Sequence, residues 1–223
     1  MPPLSLLERL AAVPDPRHSQ GRVHPLPAIL GLTVVALLAG CRSLEAIAQF
    51  GRDHGTRLAH PLGFRRGKTP CKATLSVLFR RLDVDALEAV LAAWIADRHP
   101  GGFEHLALDG KVLRGSADGE IPGVHLLALF APAVAATAGQ LRVAATTNEH
   151  KAALVLLGVL PPWQGAVVTA DAMFCHADVA GAIRGRGGDY LFTVKDNQST
   201  LKADVDALFA QVADLSPPAA AAV

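Results

Sequence analysis

The chain has 223 residues, of which 51% are hydrophobic and 18% charged, with a mean hydropathy of +0.31; a disordered chain is excluded, and the length suits one sizeable domain or two small ones. Cys41, Cys71 and Cys175 stand far apart with no Cys-x-x-Cys step, which excludes a disulfide framework and a zinc knuckle and fits a reducing cytoplasm. The net charge of +1 hides two halves of opposite sign: 13 Lys and Arg against 8 Asp and Glu over residues 1–100, net +5, and 8 against 12 over residues 101–223, net −4.

No positive segment followed by an apolar run and a cleavage site opens the sequence, so no export signal is expected. Leu4 to Val13 reads as a short helix stopped by Pro14 and Pro16, followed by a polar connection through Arg22. The run Leu26 to Cys41 is 16 uncharged residues, short of the ~20 that span a bilayer. It reads as a buried helix over Ala28 to Ala39, opened by Pro27 and stopped by Gly40. Ser43 caps a second helix with Leu44, Ile47 and Ala48 at helical spacing, expected to end near His54-Gly55. A Gly-, Arg- and Pro-rich loop leads to Thr69-Pro70, which opens a helix with Leu75, Leu78, Phe79 and Leu82 as its stripe, flanked by Arg80 and Arg81. Asp83 caps one more helix, with Leu87, Val90, Leu91 and Trp94 turned inward before His99-Pro100-Gly101-Gly102 stops it. From Arg52 to Arg81, eight basic residues stand against one acid, net +7 over 30 residues. Such a segment is either a solvated loop or a footprint for a polyanion such as DNA.

At residue 100 the composition shifts, and strands begin to alternate with helices. His105 to Leu108, Val124 to Phe130 and Leu141 to Thr146 read as three neighbouring strands. Asn148 caps a helix over Glu149 to Leu160, Ala166 to Thr169 is a fourth strand, His176 to Arg184 a helix and Tyr190 to Val194 a fifth strand. Ser199 begins a last helix with Leu201, Val205, Leu208, Phe209 and Val212 on one face, and the tail from Ser216 lacks any core-forming pattern.

Two acids share a context. Asp109 closes the apolar strand Leu106-Ala107-Leu108, and Asp171 closes Val167-Val168-Thr169-Ala170, each before a small residue. Alone, either fits a turn or a cap. As a pair at strand ends of an open α/β sheet they converge on the crevice where ligands bind, and converging carboxylates call for a hard divalent cation, Mg²⁺ or Mn²⁺. Cys175-His176 reads as packing at a helix start, Glu149 as a first-turn acid favoured by the helix dipole, and the remaining histidines, His18 and His24 among them, are too scattered for a ligand set.

Asp109-Gly110-Lys111 with Arg114-Gly115, then Thr147-Asn148-Glu149, Thr169-Ala170-Asp171-Ala172-Met173, Asp189-Tyr190 and Lys195-Asp196-Asn197-Gln198 follow one another in an order that resembles the DDE transposases of bacterial insertion sequences, in the ISAs-type or H-repeat-associated group. Asp15-Pro16-Arg17, Gly21-Arg22-x-His24 and the helix ending Leu38-Ala39-Gly40 resemble that group's N-terminal associated domain, so the likeness runs from Leu6 to Phe209. It implies an α/β protein: a helical, DNA-binding domain over residues 1–100, an incomplete RNase H-like mixed-sheet catalytic domain over 101–215, and a disordered tail over 216–223. Asp109 and Asp171 become the first two members of a metal-binding Asp, Asp, Glu triad. The charge of the Arg52 to Arg81 segment makes Arg65, Arg66, Lys68, Arg80 and Arg81 the candidates for DNA phosphates, and Lys195 of the Lys-x-Asn-Gln motif joins them. Asp196 departs from the family's usual Gly and sets a negative charge beside Lys195.

The family's third acid lies well downstream of the Lys-x-Asn-Gln motif, where only Asp204, Asp206 and Asp214 follow here, and these read as solvent-facing. The expectation is therefore a C-terminally truncated copy: a transposase cutting and joining DNA with Mg²⁺ or Mn²⁺, inactive or partial for want of the third acid. The alternative is a non-catalytic module that occupies transposon ends. DNA is the expected partner, self-association is left open, and neither a membrane nor a small-molecule substrate is expected.

Overall fold

The computed structural model describes residues 3–113, 115–116, 123–143, 148–159 and 164–212. Arg114, Thr146, Thr147, Leu160, Asp214 and the tail 216–223 lie outside the described residues. The chain divides into two compact units, residues 1–100 and 101–223.

The first unit is helical. Helix α1 (Leu6–Leu10) is shorter than its apolar pattern predicts; Ser5 and Glu8 cap its start reciprocally, and Leu10 is its buried contact. Helix α2 (Leu26–Leu38), with Pro27 in its first turn, buries Leu26, Ile29, Leu30 and Leu32. Helix α3 (Leu44–Leu62) starts where Ser43 Oγ accepts the Ala46 N–H at 3.1 Å. Its expected end at His54-Gly55 is wrong. Gly55 kinks the helix (φ 52°, ψ −141°), and the chain resumes helical form as far as Leu62, before Gly63 closes it at φ 97°. Burial explains this outcome: Ala59 is fully buried, and Leu58 and Leu62 pack on the same core as α2, so packing past the kink outweighs the local break. Helix α4 (Lys72–Phe79) contributes Leu75 and Leu78 to that core. Helix α5 (Val84–Arg98), capped by Asp83 on the Ala86 N–H, lays Leu87, Val90 and Leu91 half-buried against it.

The polar connection between α1 and α2 is a knot of hydrogen bonds. Arg17 donates from Nε and Nη2 to the Asp15 carboxylate at 2.9 and 2.8 Å and from Nη2 to the His24 carbonyl at 2.8 Å, while Arg22 Nε donates to the Arg17 carbonyl at 3.0 Å. The side chains of Arg17 and Asp15 are only 9% and 15% exposed. Burial and the Arg17 guanidinium together hold the His24 imidazole pKa below its ordinary range. His24, read in the sequence as scattered, is part of this structure.

The second unit is a mixed sheet of β1 (His105–Val112), β2 (His125–Ala131), β3 (Ala136–Arg142), β4 (Val167–Ala170) and β5 (Asp189–Phe192), in the order β3-β2-β1-β4-β5. β1 with β2 and β2 with β3 are antiparallel, whereas β1 with β4 and β4 with β5 are parallel. This is the mixed α/β sheet expected. Helices α6 (Glu149–Val159) and α7 (Ala177–Arg184) cover one face, where Ala152, Ala153, Leu156, Leu157, Val179 and Ile183 meet the inward residues of the sheet. Helix α8 (Ser199–Val212) follows β5, and its apolar stripe is largely exposed, with Leu208 at 61% and Phe209 at 71%. No helix among the described residues is long and apolar enough to cross a membrane.

Candidate active site

β1 is longer than the sequence suggests, and this changes the setting of Asp109. The strand continues through Asp109-Gly110-Lys111 to Val112 because β2 pairs with it antiparallel, matching Asp109 with Ala128 and Val112 with His125. What ends near Asp109 is the parallel pairing with β4, whose last partners are Leu108 and Ala170. One step further in that register stand Asp109 and Asp171.

Alternation along the strands fixes the face. Leu106, Leu108, Val168 and Ala170 are buried under α6 and α7, so His105, Ala107 and Asp109 on β1, and Thr169 and Asp171 on the β4 line, belong to the opposite face. A hydrogen bond across that face links His105 Nε2 and Thr169 Oγ1 at 3.0 Å. Both acids are exposed. Each acid thus stands one residue beyond the last parallel pair, Leu108 with Ala170.

Gly110, between Asp109 and Lys111, faces the other way. A Cβ built there would lie 2.7 Å from Glu149 Oε2, so only glycine lets the Glu149 carboxylate rest against the strand. Glu149 also pairs with His125 on that α6 side. Glu149 is therefore more than a first-turn acid, and it stands on the face away from Asp109.

Asp171 leads into a tight turn. Its Oδ1 accepts the Ala172 N–H at 2.8 Å, residues Ala172–Phe174 make a single 3₁₀ turn, and the Phe174 side chain, 2% exposed, anchors that turn in the core. Cys175 is buried and His176 opens α7, stacked on His150 with ring centroids 4.1 Å apart, as a packing role implies.

The segment after β5 returns to this turn. Lys195 Nζ lies 2.8 and 3.1 Å from the two oxygens of Asp171, and this hydrogen bond, with the one from Ala172, holds the Asp171 carboxyl below the usual carboxylate range. Asp196 does not neutralise Lys195; its carboxylate pairs with Lys202 of α8 at 2.7 Å. Asn197 Nδ2 donates to the Ala172 carbonyl at 3.0 Å and Gln198 Nε2 to the Cys175 carbonyl at 3.1 Å. Nothing in the spacing of Asn197 and Gln198 points to these contacts, which span 25 and 23 residues.

Two exposed carboxylates on one face fit a hard divalent cation that keeps several waters. Among the described residues no group of three or more His, Cys, Asp or Glu is placed to hold a metal, and Asp204 and Asp206 are exposed on α8. Within the helical unit, Arg65, Arg66, Lys68, Arg80 and Arg81 are placed toward solvent to differing degrees, and none has a carboxylate partner among the described residues.

Comparison with known proteins agrees with this architecture. Residues 100–217 match the family "Transposase DDE domain" and residues 7–95 the family "DDE_Tnp_1-associated". "Putative transposase YncI" of Escherichia coli (strain K12) is 35% identical over 201 residues, covering 88% of this chain and 80% of that protein. "H repeat-associated putative transposase YbfD" of the same strain is 31% identical over 199 residues, covering 88% and 78%. "Putative protein YbfL" of that strain is 33% identical over 199 residues, and there the chain spans about half of the relative, 52% of its length. The chain belongs to the DDE transposase family, in the group of the H repeat-associated proteins.

Proposed function

We propose that this chain is the DNA-binding and two-acid part of an insertion-sequence transposase, in which Asp109 and Asp171 hold one divalent cation, Mg²⁺ or Mn²⁺, at a DNA phosphodiester. The observation that supports this reading is the parallel β1–β4 register, in which Asp109 and Asp171, both exposed, each follow the last paired residues, Leu108 and Ala170. When bound, the cation supplies Lewis-acid polarisation of a phosphoryl oxygen and a more acidic water. Asp109 is presented by β1, which still pairs with β2 at that position, and Asp171 by a short turn that Phe174 anchors in the core. Lys195 shares that edge and offers a point charge for a phosphate oxygen. In the helical unit, Arg65, Arg66, Lys68, Arg80 and Arg81 grip the phosphate backbone without reading sequence.

Cutting and joining DNA by the two-metal route uses a further acidic ligand to set a second ion against the attacking and leaving oxygens. No described acid joins Asp109 and Asp171. The chain alone therefore binds duplex DNA and Mn²⁺ and leaves supercoiled plasmid intact. Asp109→Asn and Asp171→Asn each abolish Mn²⁺ binding, followed by the resonance of free Mn²⁺, while DNA binding persists. Mn²⁺ binding that survives both substitutions refutes the site. Metal-dependent nicking lost in both variants shows a catalytically complete chain and returns attention to Asp204 and Asp206.

A further inference from the structure

We infer that Asn197 and Gln198 are positioning residues that brace the turn carrying Asp171. The proposal rests on the reading of Asp171 as a metal ligand and adds how the protein aims it.

The topology makes the brace available. β5 runs parallel to β4, so the residues that leave β5 emerge at the same edge as those that leave β4. The ladder runs one step past the strands, where the Thr193 N–H donates to the Ala170 carbonyl at 3.1 Å. Lys195 to Gln198 then face Asp171 to Cys175 across that edge.

A single 3₁₀ turn is a weak support for a metal ligand. It is held internally by the Phe174 N–H on the Asp171 carbonyl at 2.9 Å and the Cys175 N–H on the Ala172 carbonyl at 3.3 Å, and short turns of this kind have poor hydrogen-bond geometry. Two side-chain amides bind main-chain carbonyls here, Asn197 at Ala172 and Gln198 at Cys175, one at each end of the turn. Phe174 pins the middle from within. The turn is thus held at three points, and Asp171, immediately before it, inherits its orientation. Lys195 completes the arrangement by compensating the carboxylate charge. The Lys-x-Asn-Gln run so becomes one device: its cation faces the acid, and its two amides face the backbone behind the acid.

The test uses the full 223-residue protein with Asn197→Ala, Gln198→Ala and the double variant. Hydrogen exchange read by mass spectrometry over residues 172–176 reports the turn without any metal. Each single variant should exchange there about 3- to 10-fold faster, the worth of one modest hydrogen bond, with β2 peptides unchanged. Mn²⁺ affinity should fall by a similar ~3- to 10-fold, more in the double variant, with thermal stability almost unmoved. Unchanged exchange overturns the brace. Faster exchange with unchanged Mn²⁺ affinity overturns its positioning role. A wild-type chain that binds no Mn²⁺ overturns the two-carboxylate reading, and the exchange measurement still decides the brace.

Discussion

Replacing Arg17 by Met tests whether the first family motif is a structural knot or a DNA contact. The substitution keeps most of the apolar stem and removes three side-chain hydrogen bonds, two to Asp15 and one to the His24 carbonyl, in a pair whose side chains are 9% and 15% exposed. Breaking a buried pair costs about 3–5 kcal/mol when the surviving charge is left alone. Asp15 is not left alone: it keeps the main-chain N–H of residue 17 at 3.0 Å and Arg22 Nε at 3.6 Å. The expected loss is therefore ~2–3 kcal/mol, which for a unit of this size lowers the melting temperature by roughly 10–20 °C. The effect has a pH signature. The hydrogen bond from Arg17 holds the Asp15 carboxyl below its ordinary value, so the folded pKa lies under the unfolded one of about 3.9. Stability from the pair is complete above about pH 4 and is lost as pH falls through the folded value. Circular dichroism melts of the two proteins at about pH 7 and about pH 3 read this directly. A melting temperature within about 2 °C of wild type, or a gap as wide in acid as at neutral pH, refutes the reasoning.

Three further outcomes follow from the same geometry. A Cβ at Gly51 would lie 2.7–3.1 Å from three atoms of the branched Thr69 side chain, including its Cβ, so Gly51→Ala should lose ~1–2 kcal/mol in chemical denaturation despite its better helix propensity; a more stable variant would show that the neighbouring side chain yields. Lys195→Met removes the cation that competes for both Asp171 oxygens, so Mn²⁺ should bind more tightly than to wild type, and weaker binding would mean that Lys195 assists the site. Changing Arg65, Arg66 and Lys68 to Ala should flatten the salt dependence of duplex DNA binding by roughly 0.9 for each phosphate that is no longer neutralised, measured as log affinity against log salt; an unchanged slope removes these residues from the interface.

Local signals carried most of the fold. Ser43 and Asp83 announce their helices because a cap is a contact between residues three apart, and the short apolar run Leu106 to Leu108 marks a strand. The misplaced boundaries share one cause, which is that distant partners decide them. Gly55 looks like a helix end until Ala59 is seen buried beyond it, and Asp109 looks like a strand end until β2 is seen pairing with the four residues from Asp109 to Val112. Context failed likewise for His24, whose carbonyl, rather than its ring, receives the Arg17 guanidinium.

The site divides along the same line. Asp109 and Asp171 can be paired from the sequence because each follows an apolar run, and the parallel register lays those two runs side by side as far as Leu108 and Ala170. Asn197 and Gln198 could be quoted as a motif but not given a task, since each donates to a main-chain carbonyl and a carbonyl carries no residue identity to match. Such contacts leave no complementary letter in the sequence. Only the parallel pairing of β4 and β5 brings the two segments together, and with it the four residues from Lys195 to Gln198 change from a surface run with a misplaced acid into the support of the Asp171 carboxylate.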